Sequence, residues 1–452
     1  MSSAPPWARD AVLYHLYPLG LCGAPRHAPL DATPAPRLHK LLPWLEHAAD
    51  LGCTAVQFGP VFESEEHGYD VVDLWRVDRR LGTSQDLARV CDQAHRLGLK
   101  VVFDAVFNHV GRASGAFQAL VEHGKDAATV SWFKGLDFNK RSAMGDPFAY
   151  EAWAGHDSLV KLDVQHPAVR EHLLHTVDHW IDAYGVDGLR LDAADVLDRR
   201  FLRALRKHTD ARERDFWLCG EVVHGDYSRW ASPERLHSVT SYQVYKALWS
   251  SHVDRNYWEL AHALQDQFGP EGRYRDLDLA SFVDNHDQPR IASRLSDARH
   301  LYPLHLALFT MPGIPSIYYG SEWGIQGVTA GDHDWDLRPE LVLDDATAWP
   351  HPDLPKTIRR LAELRRALPA LRMGSYQQRM VANEQLVFAR ITPEQRVLVA
   401  LNSSDRAVDV SFPATGTWRD ALEQTAQVSA SGGSLTLRLP ASWGRVLVNS
   451  AP

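Results

Sequence analysis

The stretch GLRLDAADV, residues 188–196, sets the reading of the whole chain. Leu189 and Leu191 alternate with Arg190 and Asp192, so a short apolar strand delivers two full charges where it ends. Charges are seldom left near a core unless they are paired or employed. Just upstream, PAVREHLLHTVDHWIDAYG (167–185) reads as an amphipathic helix, with Pro167 in its first turn and Gly185 at its close. A helix feeding a buried strand that ends in charge is therefore the unit to look for along the chain.

It recurs. AVLYHLYPLG (11–20), TAVQFGPVF (54–62), KVVFDAVFNHV (100–110), FWLCGEV (216–222), SVTSY (238–242), LASFVDNHD (279–287) and IPSIYYG (314–320) supply seven further strands. Their near-continuous apolar character fits parallel strands covered on both faces. SQDLARVCDQAHRLG (84–98) and KTIRRLAELRRAL (356–368) carry helical periodicity between and after them. The pattern predicts an α/β fold: a (β/α)8 TIM barrel over residues 1–110 and 162–371. Residues 111–161, rich in Gly, Asp, Phe and Trp with little period, are predicted as an inserted loop domain after strand 3. From residue 372 to 452 the texture changes to short alternating runs such as QLVFARIT, RVLVALNSS and SLTLRLP, which predict a C-terminal antiparallel β-sandwich domain.

Composition narrows the partners. Forty-eight basic against 57 acidic side chains leave a net charge of −9, which argues against a nucleic-acid binder. No run approaches the roughly 20 apolar residues that span a bilayer, and the N-terminus lacks the pattern of a secretory signal. The four cysteines, Cys22, Cys53, Cys91 and Cys219, are widely spaced and read as reduced thiols in a cytoplasmic protein.

In such a barrel the reactive groups gather at the C-terminal ends of the strands. Those ends carry Asp104, Asn108 and His109, then Arg190 and Asp192, then Glu221, then His286 and Asp287. A metal-dependent hydrolase is one reading of carboxylates and imidazoles at a barrel mouth. Two carboxylates flanking a glycosidic bond are the other. Arg190 favours the second, because a fixed positive charge repels a metal ion but lowers the pKa of a neighbouring nucleophile, keeping Asp192 ionised. The apolar residues before Glu221 are expected to raise its pKa and keep it protonated.

DAVFNHV, GLRLDAADV, GEVV and FVDNHD are similar to the four core motifs of the alpha-amylase family of glycoside hydrolases. GCTAVQFGPVFES, HGYDVVDLWRVDRRLGT, LVKLDVQHPAV and GIPSIYYGSEWG extend the resemblance over most of residues 10–325. The segment LVKLDVQHP looks more like the cyclomaltodextrinase, neopullulanase and maltogenic amylase group than like secreted starch amylases. The resemblance implies a retaining hydrolase of α-1,4-glucosidic bonds in short or cyclic maltooligosaccharides, including mixed α-1,4/α-1,6 cyclic glucans. It makes Asp192 the nucleophile, Glu221 the general acid/base and Asp287 the stabiliser of the transition state. Tyr69, Asp70, His109, Arg190, His286, Asp334 and Arg338 are its implied substrate-binding residues, and Asp104 braces the site.

Two departures qualify it. The chain starts almost directly at its first strand, so the N-terminal β module with which many cyclomaltodextrinases dimerise and narrow the cleft is expected to be missing; a homodimer stays open. Preference for small substrates is then expected from the loops Gly111–Lys161 or Gly327–Asp334. Asn108 matches a calcium ligand of many amylases but has no Asp-rich companion, so no cofactor is expected to be required and calcium binding stays open. An α-glucan transglycosylase with the same catalytic residues is the alternative activity, and a non-catalytic carbohydrate-binding barrel the remote one. His172, His175 and His179 read as a solvated helix face, and Trp132, Phe133, Phe138, Tyr150 and Trp153 as either sugar platforms or the core of the excursion.

Overall fold

A computed structural model describes residues 4–212, 215–331, 333–423 and 427–450. Eight parallel strands form its centre: β1 Leu13–Leu16, β2 Ala55–Phe58, β3 Lys100–Ala105, β4 Gly188–Leu191, β5 Trp217–Gly220, β6 Ser238–Val239, β7 Ala280–Ser281 and β8 Ile314–Tyr318. Their order is β6-β5-β4-β3-β2-β1-β8-β7, and a parallel bridge from Thr240 to Ala280 joins the two ends into a barrel. Every residue of β1, β2, β4 and β5 is buried, as strands covered on both faces require. β6 and β7 are two residues each, shorter than their apolar runs suggest. The first is cut off by a helix that begins at Tyr242. After the second, the Asp284 carboxylate accepts from the Ile291 amide and the Ser321 hydroxyl, which bends residues 282–287 out of the ladder.

The helices that matter for the site are α1 Ser84–Arg96, α2 Pro167–Tyr184, α3 Arg199–Arg212, α4 Tyr242–Val253 and α5 Leu354–Ala367. Thr83 and Asp86 close a capping box at the start of α1. Gly185, in the left-handed region at φ 64°, ends α2 and turns the chain toward β4. Along α2, His179 stacks on Trp75 and His172 lies against Trp132, so only His175 of the three is exposed to solvent as expected.

Between β3 and α2 the chain makes its excursion, with a small antiparallel sheet of His109–Gly111, Ala152–Trp153 and His156–Lys161. Phe117, Phe133 and Phe148 are buried together and form its core. After α5, a six-stranded antiparallel sheet packs against a two-stranded one, Val408–Pro413 with Ser434–Leu439. Val387, Leu398, Phe412 and Leu437 fill the space between them. Three of these strands, Ser375–Val381, Thr417–Asp420 and Gln427–Ser429, lie outside the alternating runs read from sequence. Arg365 and Arg390, both fully buried, fasten this part to the barrel: Arg390 donates to the carbonyls of Thr310, Leu371 and Gly374.

Candidate active site

The backbone ladder itself places the central carboxylates. Asp104 lies directly opposite Arg190 in the β3–β4 register, and Arg190 opposite Cys219 in β4–β5. One residue past the strand ends the ladder continues: the Asp192 amide donates to the Ala105 carbonyl at 3.1 Å, and the Glu221 amide to the Leu191 carbonyl at 2.9 Å. The period of two puts Arg190 and Asp192 on the same, inward face of β4. Gly220 permits this closeness, because a Cβ there would meet Ala194 and Leu236.

Arg190 is the hub. It donates from Nη1 to both oxygens of Asp104 (2.8 and 2.9 Å) and to Asp192 Oδ1 (3.1 Å), while Nη2 reaches Glu221 Oε2 at 2.8 Å. Tyr69 donates to Asp104 Oδ2 at 2.9 Å and packs flat against His286, ring centres 5.4 Å apart. Glu221 also accepts from the Tyr242 hydroxyl at 3.0 Å and from the Ala193 amide at 3.2 Å. Ala193 holds φ at +45°, a conformation uncommon for any residue but glycine and often met at working sites.

On the opposite wall, Arg338 donates to Asp287 Oδ1 at 2.8 Å, to Asp334 Oδ2 at 3.4 Å and to the His286 carbonyl at 3.0 Å. His286 Nε2 lies 2.9 Å from Asp287 Oδ2. Burial pushes the Asp287 carboxyl up, but His286, Arg338 and Arg190 outweigh it and hold it below the ordinary carboxylate range. Asp192 goes the other way. Its burial, with Glu221, Asp104 and Asp287 adding, lifts it well above that range against the pull of Arg190.

This corrects two expectations. Arg190 does not lower the Asp192 pKa overall, because desolvation and three neighbouring carboxylates exceed one guanidinium already shared with Asp104. Glu221 has polar rather than apolar surroundings: residues beside it in sequence point away, while Arg190 and Tyr242 arrive from neighbouring elements.

The cleft over these groups has a volume of about 510 Å³. Asp192, Glu221, Asp287, Tyr69, His109 and Arg338 open into it, with Asp334 at its edge. Three implied substrate-binding residues stand elsewhere. Arg190 and His286 lie beneath the cleft floor, almost wholly buried. Asp70 accepts from the Glu66 and His67 amides and so fixes the turn that carries Tyr69. His109 commits both ring nitrogens, Nε2 to the Tyr69 carbonyl at 3.1 Å and Nδ1 to the Asn108 amide at 3.2 Å. Burial draws its pKa down to about 4, which keeps the ring neutral.

Of the excursion's aromatics only Trp153 lines the cleft, 5.5 Å from the His109 ring; the others pack inside the excursion or against α2. Tyr242, His156, Gln288 and Trp335 also line it and were not singled out from sequence. Tyr242 had a signal, a tyrosine opening the helix after a strand, but nothing in the chain marks it as a neighbour of Glu221. Asn108 offers a cation one amide, and among the described residues no three His, Cys, Asp or Glu side chains gather to hold a metal.

Comparison with known proteins agrees with this geometry. Residues 41–346 match the model of the alpha amylase catalytic domain, and residues 377–442 that of the maltogenic amylase C-terminal domain. Neopullulanase 2 of Thermoactinomyces vulgaris is 30% identical, over 99% of this chain and 79% of its own. A cyclomaltodextrinase of Geobacillus thermopakistaniensis is 28% identical, over 97% of this chain and 76% of its own. A solved cyclomaltodextrinase structure superimposes with a TM-score of 0.87 at 26% identity, covering 99% of this chain and 79% of that one. With a closed (β/α)8 barrel and its carboxylates at the strand ends, the chain belongs to the alpha-amylase family of glycoside hydrolases.

Proposed function

We propose that the protein is a retaining hydrolase of α-1,4-glucosidic bonds in short or cyclic maltooligosaccharides, acting through a covalent glucosyl-enzyme intermediate. The observation that carries this reading is the single guanidinium of Arg190 touching both Asp192 and Glu221 beneath one cleft. Inverting enzymes set their carboxyl groups some 6.5–9.5 Å apart to leave room for a water; retaining ones hold them about 5 Å apart. Two carboxylates sharing one guanidinium fit the shorter arrangement.

In the proposed cycle Asp192 attacks the anomeric carbon while Glu221 passes its proton to the departing oxygen. The attack forms a β-glucosyl ester and frees the leaving sugar with its new hydroxyl. Glu221 then takes a proton from water as that water attacks the anomeric carbon, breaking its bond to the Asp192 oxygen and releasing the Asp192 carboxylate and an α-configured product. Burial, Glu221, Asp104 and Asp287 raise the proton affinity of Asp192 against the pull of Arg190. Asp287, ionised and fixed by Arg338 and His286, is placed to steady the positive charge that builds on the sugar ring.

Preference for small or ring-shaped substrates is supported by the walls. Trp153 and Trp335 both line the cleft, and the two curated relatives described above are named cyclomaltodextrinase and neopullulanase. The four buried, unpaired cysteines are consistent with a cytoplasmic setting. A product time course tests the reading, with cyclodextrins, a mixed-linkage cyclic tetrasaccharide, maltotriose, pullulan and soluble starch in parallel. Rings and short chains are expected to be cut fastest, with products released as α-anomers. Release of β-anomers would overturn the mechanism, and starch outpacing every small substrate would overturn the specificity.

A further inference from the structure

The inside of a (β/α)8 barrel is ordinarily packed with branched apolar side chains. Here β1, β2, β4, β5 and β8 bring His15, Gln57, Arg190, Cys219 and Ser316 to a common hollow of about 30 Å³. Asp284 and His286, from the bend after β7, also line it. Glu221 lines both this hollow and the catalytic cleft, so the hollow backs onto the catalytic floor.

Two imidazoles meet there. His15 and His286 are almost wholly buried, with their rings edge to face and ring centres 5.1 Å apart. Each keeps one buried ring nitrogen without a protein partner, Nε2 on His15 and Nδ1 on His286, and Asp284 Oδ1 is a third such atom. Buried polar atoms are rarely left so unless water serves them. A water takes up about 10–15 Å³ of such space and needs two or more polar neighbours, so the hollow has room for about two.

The other nitrogen of His286 shows what that ring must do. Its Nε2 lies 2.9 Å from Asp287 Oδ2 and touches the Tyr69 hydroxyl. The ionised carboxylate can only accept, and Tyr69 gives its hydrogen to Asp104, so both contacts need a proton on Nε2. In a neutral ring Nδ1 is then a bare acceptor, and the tautomer is set by what donates to it. Burial, with His286 and Arg190, draws the His15 pKa well below the usual histidine value against the pull of Asp287. His15 is therefore a neutral group with a single N–H to give.

We propose that His15 is a positioning residue for the reaction: an ordered water in the hollow accepts from His15 Nε2–H and donates to His286 Nδ1, holding the His286 proton on the nitrogen that faces Asp287. The inference rests on the role given above to Asp287. A proton moved to Nδ1 would set a lone pair against the Asp287 carboxylate and turn a contact that seats it into one that repels it.

A high-resolution crystal structure should show water within about 3.2 Å of both His15 Nε2 and His286 Nδ1. Nitrogen NMR of histidine-labelled enzyme, with His286 assigned by its loss in His286→Gln, should find the proton on Nε2. His15→Leu should shift part of it to Nδ1, whereas His15→Gln, which still donates to the water, should not. On maltotriose His15→Leu should lower kcat about tenfold, the scale of one hydrogen bond, with KM within about twofold, since Asp287 acts on charge that builds in the transition state. His15→Gln should recover most of that loss. The crystal structure of the parent decides first, whether or not the variants fold: no water between the two rings would overturn the inference. So would an unchanged His286 tautomer in His15→Leu, an equal loss in His15→Gln, or a rise in KM that follows a fall in melting temperature. The water and the Nε2 proton in an enzyme that cleaves no glucan would uphold the bridge and sink the hydrolase reading instead.

Discussion

Arg190 Nη2 lies 2.8 Å from Glu221 Oε2 while the same side chain holds Asp192, so the two carboxylates proposed to act on the sugar are mounted on one rigid plane. The carboxylates are positioned relative to each other before any substrate enters. Such preorganisation is the usual source of large rate effects in water-poor sites.

Asp192→Asn and Glu221→Gln should each remove nearly all turnover of maltotriose, since acid–base assistance alone is worth about 10²- to 10⁴-fold. The two losses should differ in kind. Glu221→Gln should recover on an α-glucoside with a leaving group that needs no proton, and Asp192→Asn should not. Equal recovery of both variants would falsify the division of labour.

Arg190→Lys keeps the charge and loses the fork. Asp192 would then be less well opposed against burial and its carboxylate neighbours, so its proton affinity should rise further. The acidic limb of the kcat/KM profile should move to higher pH, with a fall of about 10²-fold at the optimum. An unchanged limb with a lower plateau would mean that Arg190 acts through packing alone.

Gly20 backs directly onto Arg338, and a Cβ at residue 20 would land against the Arg338 carbonyl. Gly20→Ala should therefore push away the loop whose arginine holds Asp287, while leaving the barrel folded. The expectation is a fall in kcat of about tenfold or more, with a melting temperature within a few degrees of the parent. Normal kcat would show that Arg338 is not needed to seat Asp287.

Stability should drop on mild acidification for a reason outside the cleft. His252 is buried with its Nδ1–H given to the Leu248 carbonyl and its Nε2 accepting from the Tyr257 hydroxyl, and its pKa is pulled down to about 3 by burial. Burial likewise takes His237 down to about 3 and His305 to about 4. A base whose folded pKa is depressed lends stability above its unfolded pKa of about 6.5 and withdraws it as pH falls toward the folded value. Urea unfolding at pH 7.5, 6 and 5 should show the decline, steeper by about 1.4 kcal/mol per pH unit for each such histidine. His252→Gln should flatten it, and an identical slope in the variant would remove His252 from the account.

Much of this was legible in the chain because apolar runs that end in charge mark both a strand and the mouth it points to. Asp104, Arg190, Asp192 and Glu221 all follow that rule and all meet beneath one cleft. What was not legible depends on contacts between distant segments. Arg338 and Asp287 are 51 residues apart, and Tyr242 approaches Glu221 only because β5 and β6 are neighbours. The family motif FVDNHD implied His286 as a sugar contact, but nothing in the chain foretold that its ring would stack on Tyr69, 217 residues away. Trp153 could not be told from its aromatic neighbours by composition, since an excursion needs a core of the same residue types.

The barrel wall is knitted unevenly. β2, β3 and β4 are joined over four partnered positions at each seam, whereas β6 meets β5 over two and reaches β7 through the Thr240–Ala280 bridge. Asp192, the proposed nucleophile, is thus carried on the tight arc, while Glu221, the proposed acid, and its Tyr242 partner border the slack one. Amide hydrogens around Val239 to Ser241 and Ala280 to Phe282 should exchange with deuterium before those of β3 and β4. A chain that breathes there can admit and release a bulky ring past its acid without loosening the carboxylate that bonds to it.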